Sequence, residues 1–333
     1  MSRYTAVMIG GGPAGHTCAV RIAQLGGKVA IVERDYVGGI CTNWGCTPSK
    51  AMIESAKIAR TVRESSQYGV HTSEVRVDFG EVAARRDRII RESREVVADL
   101  LRHHNVDIYQ GEAEIVAPDR VKFRMGKLDR DGRVMHYTGE EGELEADHIV
   151  LATGSYPLIP DFVERDDPLV VSSNRLITIG SLPETLTIVG GGVIGLEFAT
   201  IFSNLGSQVT VIEYLDRVLA TLDPEISEEI KRLLEASGVT ILTSHQVVGT
   251  HDGRVRAINR QTDEVVEIAS EAVLIAIGRT PVINQEMFDR MGIEYTQKGI
   301  SVDEFLRTNV SGIWAIGDAT GKSILAHVGM QQG

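Results

Sequence analysis

A glycine-rich segment occurs twice in the sequence, with the same pattern around it each time. The first copy, GGGPAG, begins at Gly10 after an apolar stretch, and the next apolar stretch ends at Glu33. The second copy, GGGVIG, begins 180 residues later at Gly190, and its next apolar stretch ends at Glu213. In both copies the acid follows the first glycine by 23 positions. The sequence therefore predicts two similar units, each with a strand, a glycine-rich turn, a helix and a strand that ends in an acid.

The residue types in each turn suit the binding of a dinucleotide. The first glycine permits a tight turn, the second lets the backbone approach a pyrophosphate, and the third lets the helix pack on the strand. The helix N-terminus directs a partial positive charge at the phosphates, and the acid can accept hydrogen bonds from ribose hydroxyls. A single turn of this kind is also compatible with a purely structural role. Two copies with equal spacing predict two bound dinucleotides.

Three further apolar stretches end in glycine, the third with an acid directly after it, and complete the predicted fold. They lie at 149–154, 272–278 and 313–318. Together with the two repeats, they predict an α/β protein with two Rossmann-like dinucleotide-binding domains. The predicted boundaries are 1–150 for the first domain and 151–279 for the second, with 280–333 after them.

Charge and composition argue against several classes of function. The chain has 34 Lys and Arg residues against 46 Asp and Glu residues, and its net charge of −12 disfavours nucleic acids and anionic membranes as partners. We find no uncharged apolar run of about 18 residues and no signal-peptide pattern, so we expect a cytoplasmic protein. With only 3 cysteines, a disulfide framework like that of small secreted proteins is not expected.

Two of the cysteines lie close together in the segment GGICTNWGCTPSK. Cys41 and Cys46 would be separated by about 7.5 Å of rise in a regular helix, beyond the usual Cα separation in a disulfide of up to about 6.8 Å. A distorted turn at Gly45 could bring them together. Pro48 suits the first turn of a helix, and a thiolate beside a helix N-terminus would be reactive. A zinc site is the competing interpretation, but it needs further ligands, and Cys18 is expected to pack in the first helix.

This cysteine segment resembles the redox-active disulfide of the flavin-dependent pyridine nucleotide-disulfide oxidoreductases, in the branch of lipoamide dehydrogenase, glutathione reductase and mercuric reductase. The resemblance runs from Tyr4 to the last residue. It implies that the second dinucleotide-binding domain is inserted in the first and that 280–333 return to the first. Five motifs follow the family's order: GGGPAG with Glu33, the two cysteines, ATG at 152–154, GGGVIGLE with Glu213, and Gly317-Asp318. Within the branch, VIEYLDRVL is similar to lipoamide dehydrogenases, whereas AMIESAKIAR is similar to mercuric reductase.

The resemblance implies a role for each residue of the redox centre. Cys46 would face the flavin as the charge-transfer thiolate, and Cys41 would be the thiol that exchanges with the substrate. Lys50 would approach the reactive edge of the flavin and pair with Glu197, which would stabilise charge on the reduced cofactor. An ordinary surface ion pair is the alternative for these last two residues.

The resemblance also implies FAD and NAD(H) as the cofactors. The first repeat would hold the ADP half of FAD, Asp318 would bind its ribitol side, and the second repeat would hold the nicotinamide nucleotide. The residues assigned to cofactor binding are Gly10, Gly12, Gly15, Glu33, Lys50, Ala113, Thr153, Gly154, Ser155, Gly190, Gly192, Gly195, Glu213, Val247, Gly278, Gly317, Asp318, Ala326 and His327.

Charge at the end of the second repeat favours NAD(H) over NADP(H). A 2′-phosphate beside Glu213 would meet like-charge repulsion, and no arginine follows until Arg217. The resemblance implies the oxidation of dihydrolipoamide by NAD⁺, which gives lipoamide and NADH, as the reaction. Two alternatives stay open: a shortened flavoprotein that passes electrons from NADH to dyes without dithiol turnover, and a mercuric reductase-like enzyme.

The chain ends at Gly333, where the resemblance implies a further domain. In the family that domain forms a homodimer and supplies a His-Glu pair that acts as acid and base on the dithiol. We therefore expect this chain to lack the dimerisation domain. We do not expect His327 to replace the missing base, because the resemblance places it at the start of a helix that faces the flavin.

Overall fold

Strands and helices alternate along both glycine-rich repeats, as the sequence predicts. The computed structural model describes residues 3–128, 134–160, 163, 169–251 and 253–333. The strands are β1 (Tyr4–Ile9), β2 (Val29–Glu33), β3 (Asp107–Ala117), β4 (Arg120–Leu128), β5 (Val134–Leu151), β6 (Ser155–Pro157), β7 (Val170–Ser172), β8 (Thr185–Val189), β9 (Gln208–Ile212), β10 (Thr240–Leu242), β11 (His245–His251), β12 (Arg254–Asn259), β13 (Val265–Ala269), β14 (Ala272–Ile275), β15 (Arg279–Pro281), β16 (Tyr295–Thr296), β17 (Gly299–Ile300) and β18 (Ile313–Ala315). The helices are α1 (Pro13–Gln24), α2 (Gly39–Asn43), α3 (Cys46–Arg63), α4 (Phe79–His103), α5 (Ser173–Leu176), α6 (Val193–Leu205), α7 (Pro224–Ala236), α8 (Gln285–Met291) and α9 (Ala326–Gln332), with short 3₁₀ helices at Ser65–Tyr68 and Gly317–Thr320.

The chain divides into two compact units. The first contains Met1–Asn43, Ile90–Tyr156 and Arg279–Gly333, and the second contains Trp44–Ile89 and Pro157–Gly278. This division by packing assigns residues 44–89 to the second unit, whereas the sequence interpretation counts them with the first domain. The boundaries 1–150, 151–279 and 280–333 stay a prediction.

The first unit is built on a parallel sheet with the strand order β3-β2-β1-β5-β18. Its central strand places Val7 between Ala30 of β2 and Ile149 of β5, and all three residues are fully buried. Strands β3 and β5 also pair with β4 in an antiparallel meander. Because both faces of the parallel sheet are covered, its strands are almost continuously apolar.

The second unit repeats this arrangement. Its parallel sheet has the order β10-β9-β8-β14-β7, and β11, β12 and β13 form an antiparallel meander. In the central strand Ile188 lies between Val211 of β9 and Leu274 of β14, again fully buried. The predicted α/β fold class is confirmed. The similarity of the two units extends beyond the glycine-rich turns to the meanders.

Helix α1 packs against β1 and β2 of the first sheet, and α6 packs against β8 and β9 of the second. No helix in the described part of the chain combines the length and the apolar character needed to cross a membrane.

Candidate functional site

Both glycine-rich turns have the backbone geometry that the sequence predicts. Gly10 and Gly190 have φ angles of +106° and +111°, a region that favours glycine. A Cβ on Gly10 would collide with the carbonyl of Ala152, and a Cβ on Gly190 would lie 2.5 Å from the carbonyl oxygen of Ala276. These two carbonyls directly follow β5 and β14, so the first glycine of each repeat lets the turn pass the end of the neighbouring strand.

The middle glycine of each turn has a different explanation. Gly12 and Gly192 cap the N-termini of α1 and α6 with ordinary φ angles of −68° and −80°. A Cβ on Gly12 would come no closer than 3.8 Å to Gly39 Cα, and a Cβ on Gly192 would meet nothing within 4 Å. Neither the backbone nor the neighbours require glycine here. The open space lies at a helix N-terminus, which fits a phosphate group of a dinucleotide at both positions.

The acid at the end of the first repeat is bound to the turn. The N–H of Gly11 donates to Glu33 Oε2 at 2.6 Å, and the N–H of Asp35 donates to Oε1 at 2.8 Å. Burial raises the pKa of the Glu33 carboxyl, and the two N–H donors oppose that shift. The remaining lone pairs of the carboxylate stay available for hydroxyl donors.

The acid of the second repeat makes the same contacts. The N–H of Gly191 donates to Glu213 Oε2 at 2.6 Å, and the N–H of Leu215 donates to Oε1 at 2.8 Å. In each unit, the carboxylate therefore joins the glycine-rich turn to the chain that follows the second strand. This is a structural role that the motif alone did not predict, and it fixes the acid where a ribose would be recognised.

A partly buried polar cluster holds Asp318 in the first unit. The hydroxyl of Ser155 donates to Asp318 Oδ2 at 2.6 Å and accepts from Arg279 Nε at 2.9 Å. Arg279 Nη2 also donates to the carbonyl of Ser155 at 2.7 Å. Burial lowers the pKa of the Arg279 guanidinium, and the charge of Asp318 opposes this shift. The sequence reasoning assigned Ser155 and Asp318 but missed Arg279, whose only signal was its place directly after Gly278.

The other residues assigned to the flavin side also lie in the first unit. Thr153 and Gly154 follow β5 and are bound by Val282, which donates its N–H to the carbonyl of Gly154 at 3.0 Å. Gly317 begins a 3₁₀ helix, and a Cβ on Gly329 of α9 would lie 3.4 Å from Gly317 Cα. Ala113 lies in β3, while Ala326 and His327 begin α9.

The two cysteines of the redox segment begin or occupy helices. Cys41 lies within α2 and is half-buried, whereas Cys46 is the first residue of α3 and is exposed. Pro48 lies in the first turn of α3, as the sequence predicts. Across the residues that the structure describes, we find no group of three or more His, Cys, Asp or Glu side chains able to hold a metal ion.

An ion pair links α3 to α6 within the second unit. Lys50 Nζ lies 2.7 Å from Glu197 Oε1, and the side chains are 61% and 31% exposed. Lys50 is four residues after Cys46, the first residue of α3, so the two lie on one face of the helix, one turn apart. Because an exposed ion pair contributes at most about 1 kcal/mol to stability, the pair is weakly explained by stability alone.

A cavity of about 350 Å³ lies beside the acid of the second repeat. It is lined by Leu215, Asp216, Ser244, Arg260 and Gln261.

One cation at this cavity was missed in the sequence. The Arg260 guanidinium lies 3.7 Å from the centre of the Tyr214 ring and donates to the Tyr214 carbonyl at 3.0 Å. Arg217, the residue considered from the sequence, instead donates to the nearby carbonyl of Ala220. Of the remaining predicted residues, Val247 is buried in β11 and Gly278 ends the second unit.

Known proteins match this chain along nearly its whole length. Residues 4–333 match the family described as pyridine nucleotide-disulphide oxidoreductase. The dihydrolipoyl dehydrogenase of Acholeplasma laidlawii is 36% identical over 335 residues, which cover 99% of this chain and 94% of that protein. A dihydrolipoyl dehydrogenase of Bacillus subtilis (strain 168) is 37% identical over 342 residues, which cover 100% of this chain and 70% of that protein.

Solved structures also match this chain along nearly its whole length. The HOCl-induced flavoprotein disulfide reductase RclA of Escherichia coli is 28% identical with a TM-score of 0.82, and the match covers 99% of this chain and 69% of that one. Its Cu(II) complex is 29% identical with a TM-score of 0.84, covering 100% of this chain and 69% of that one.

Proposed function

Because the chain belongs to the pyridine nucleotide-disulphide oxidoreductase family, we propose that it oxidises dihydrolipoamide with NAD⁺ through a disulfide between Cys41 and Cys46. The family and its relatives show that the protein is an FAD-dependent disulfide oxidoreductase that uses NAD(H). The lipoyl substrate is proposed because both curated relatives described above are dihydrolipoyl dehydrogenases.

The proposed thiol chemistry balances in two exchanges. A thiolate of the substrate attacks the sulfur of Cys41, forms a mixed disulfide and releases Cys46 as a thiolate. The second substrate thiolate attacks the mixed disulfide, so that lipoamide leaves and Cys41 is released as a thiolate. The substrate loses two electrons and two protons, and the enzyme's disulfide is reduced. When bound, FAD supplies the means of passing that electron pair to NAD⁺, which takes it with one proton and leaves the other in solution.

One observation carries the proposal: Cys46 and Lys50 share a face at the start of α3, and Glu197 holds Lys50. The sulfur of Cys46 lies at the positive end of the α3 dipole, and the Lys50 ammonium provides a second positive charge one turn away. Glu197 keeps that ammonium in a defined place. The residues thus bring positive charge to the point where the proposed reaction creates negative charge.

We assign the two cofactors to the two units. The open space at Gly12, the bound carboxylate of Glu33 and the Ser155–Asp318 contact support FAD in the first unit. The open space at Gly192 and the bound carboxylate of Glu213 support NAD(H) in the second. A cytoplasmic location and a homodimer remain predictions from the sequence.

The proposal is tested by comparing three reactions of the purified chain loaded with FAD. Dihydrolipoamide oxidation by NAD⁺ should proceed with production of one NADH per dithiol. Dye reduction by NADH without any dithiol turnover would instead support the simpler flavoprotein, and NAD(P)H oxidation that depends on Hg(II) would support the mercuric reductase-like enzyme. Either of these two results would overturn the lipoyl assignment.

Coenzyme choice gives a prediction for Glu213. In Glu213→Gln, kcat/KM for NADH should fall about tenfold, because a charged hydrogen bond to the ribose becomes a neutral one. In the same variant, kcat/KM for NADPH should rise, because the repulsion of a 2′-phosphate is reduced. Steady-state kinetics with both coenzymes measure the effect. As a control, Glu228→Gln removes an exposed carboxylate on α7 and should change neither value. An unchanged coenzyme ratio in Glu213→Gln would contradict the assignment.

A further inference from the structure

The side chain of Asn43 organises the segment that carries Cys41. Asn43 is only 1% exposed, and its Nδ2 donates to the carbonyls of Gly39 at 2.8 Å and Val37 at 3.1 Å, with a longer contact to Tyr36 at 3.4 Å. One amide group therefore ties the end of α2 back to the residues that precede it. Cys41 lies between the two ends that Asn43 joins.

Arg94 of α4 holds this amide in place. Its Nε donates to Asn43 Oδ1 at 2.9 Å, and its guanidinium carbon lies 3.2 Å from the centre of the Tyr36 ring. Burial lowers the pKa of Arg94. Because the guanidinium is planar and rigid, these two contacts fix both ends of the segment against α4 at once. The Oδ1 contact also fixes which way the Asn43 amide points, and hence which carbonyls its Nδ2 can reach.

The other side of the segment rests on the first glycine-rich turn. The N–H of Gly38 donates to the carbonyl of Gly11 at 2.9 Å, and a Cβ on Gly39 would lie 2.7 Å from Gly12 Cα. The segment is therefore enclosed between the proposed pyrophosphate-binding turn and Arg94. A displacement of α2 is resisted by the turn on one side and by a single arginine on the other.

We propose that Arg94 is a positioning residue for Cys41, acting through Asn43. The inference rests on the proposed function, in which the sulfur of Cys41 changes partner twice in each turnover. For each exchange, the attacking and leaving sulfurs must lie in line with Cys41, so α2 has to keep its place while its covalent partner changes. Arg94 supplies that restraint without touching the reacting atoms.

The test compares Arg94→Met with Arg94→Lys and with Arg91→Met. Arg91 is an exposed cation on the same helix, so its removal controls for the loss of charge. In Arg94→Met, kcat for dihydrolipoamide oxidation should fall by about tenfold to a hundredfold, as expected for a reacting group misplaced by about 1 Å. The rate of iodoacetamide alkylation at Cys41 in the reduced enzyme, followed by peptide mass spectrometry, should change with it. NADH-to-dye transfer and FAD content should remain within about twofold of the unchanged protein.

Arg94→Lys should give a kcat between those of Arg94→Met and the unchanged protein. Lysine can donate a hydrogen bond to Asn43, but it has no planar group to stack on the Tyr36 ring. An unchanged kcat in Arg94→Met, or an equal loss of kcat in Arg91→Met, would overturn the inference. So would a parallel loss of dithiol turnover, dye reduction and FAD in Arg94→Met, because it would show that Arg94 only stabilises the first unit. If Arg94→Met does not fold, Arg94→Lys with the same readouts decides the question. Failure of the proposed function itself is recognised separately, because the unchanged protein would then lack dithiol turnover.

Discussion

Cys41→Ser is expected to lower dihydrolipoamide oxidation at least about a thousandfold while NADH-to-dye transfer continues. A serine hydroxyl cannot form the disulfide or the mixed disulfide, so both exchanges of the proposed reaction are lost. Serine has nearly the size of cysteine and Cys41 is only half-buried, so the fold and the cofactor sites should be retained. Parallel assays with dithiol and NAD⁺, and with dye and NADH, measure the two activities on the same preparation.

Cys18→Ser provides the matched control for this experiment. Cys18 lies in α1, and burial raises the pKa of its thiol to about 11. At neutral pH this thiol is therefore almost entirely protonated and is a poor nucleophile. Its replacement should leave both activities within about twofold of those of the unchanged protein. Equal loss of dithiol and dye activity in Cys41→Ser, or a selective loss of dithiol activity in Cys18→Ser, would contradict the assigned roles.

The glycine-rich repeats could be predicted from the sequence because they are constrained by the backbone. A positive φ at Gly10 and Gly190 restricts the residue type at those positions, and the spacing to the acid is set by one helix and one strand of nearly fixed length. Such constraints leave a pattern in a single sequence. The parallel strand order of each sheet agrees with the predicted fold class.

The residues that the sequence did not reveal act through contacts between distant parts of the chain. Arg279 binds Ser155 across 124 positions, Arg260 contacts Tyr214 across 46 positions, and Arg94 binds Asn43 across 51 positions. No periodicity or spacing rule relates such pairs, because their distance in sequence is set by whole elements that lie between them. All three were also arginines in a chain with many charged residues, where a solvated surface position is the usual expectation.

The assignment of α3 to a unit shows the same limit. From the sequence, the helix follows the first repeat and precedes the strand at 149–154, so it was counted with the first domain. In the structure, contacts from this part of the chain extend to α6, including Lys50 with Glu197 and Phe79 with Phe202, whose ring centres are 6.4 Å apart. These contacts group residues 44–89 with the second unit by packing, and they depend on side chains that no order along the chain reveals.

A methyl group added at the middle glycine of a turn should weaken binding only of the cofactor proposed for that unit. Gly12→Ala is expected to weaken FAD binding by about tenfold to a hundredfold, because its Cβ would occupy the space proposed for the pyrophosphate. Gly192→Ala should retain FAD but raise KM for NADH by a similar factor. Neither methyl group meets a neighbouring atom within 3.8 Å, and both glycines have ordinary φ angles, so the proteins should fold. Bound FAD after desalting and dye-reduction kinetics give the two readouts.

The outcome distinguishes the proposed assignment from the reverse one. Gly180→Ala adds the same methyl group at an exposed position with nothing within 4 Å, and it should change neither cofactor. Loss of FAD in Gly192→Ala, with FAD retained in Gly12→Ala, would reverse the assignment of the two cofactors to the two units. Normal binding of both cofactors in both variants would mean that the space above these helices is not used by a pyrophosphate. Because an alanine at an unstrained glycine position stabilises a fold by up to about 1 kcal/mol, a lowered melting temperature cannot account for the expected losses.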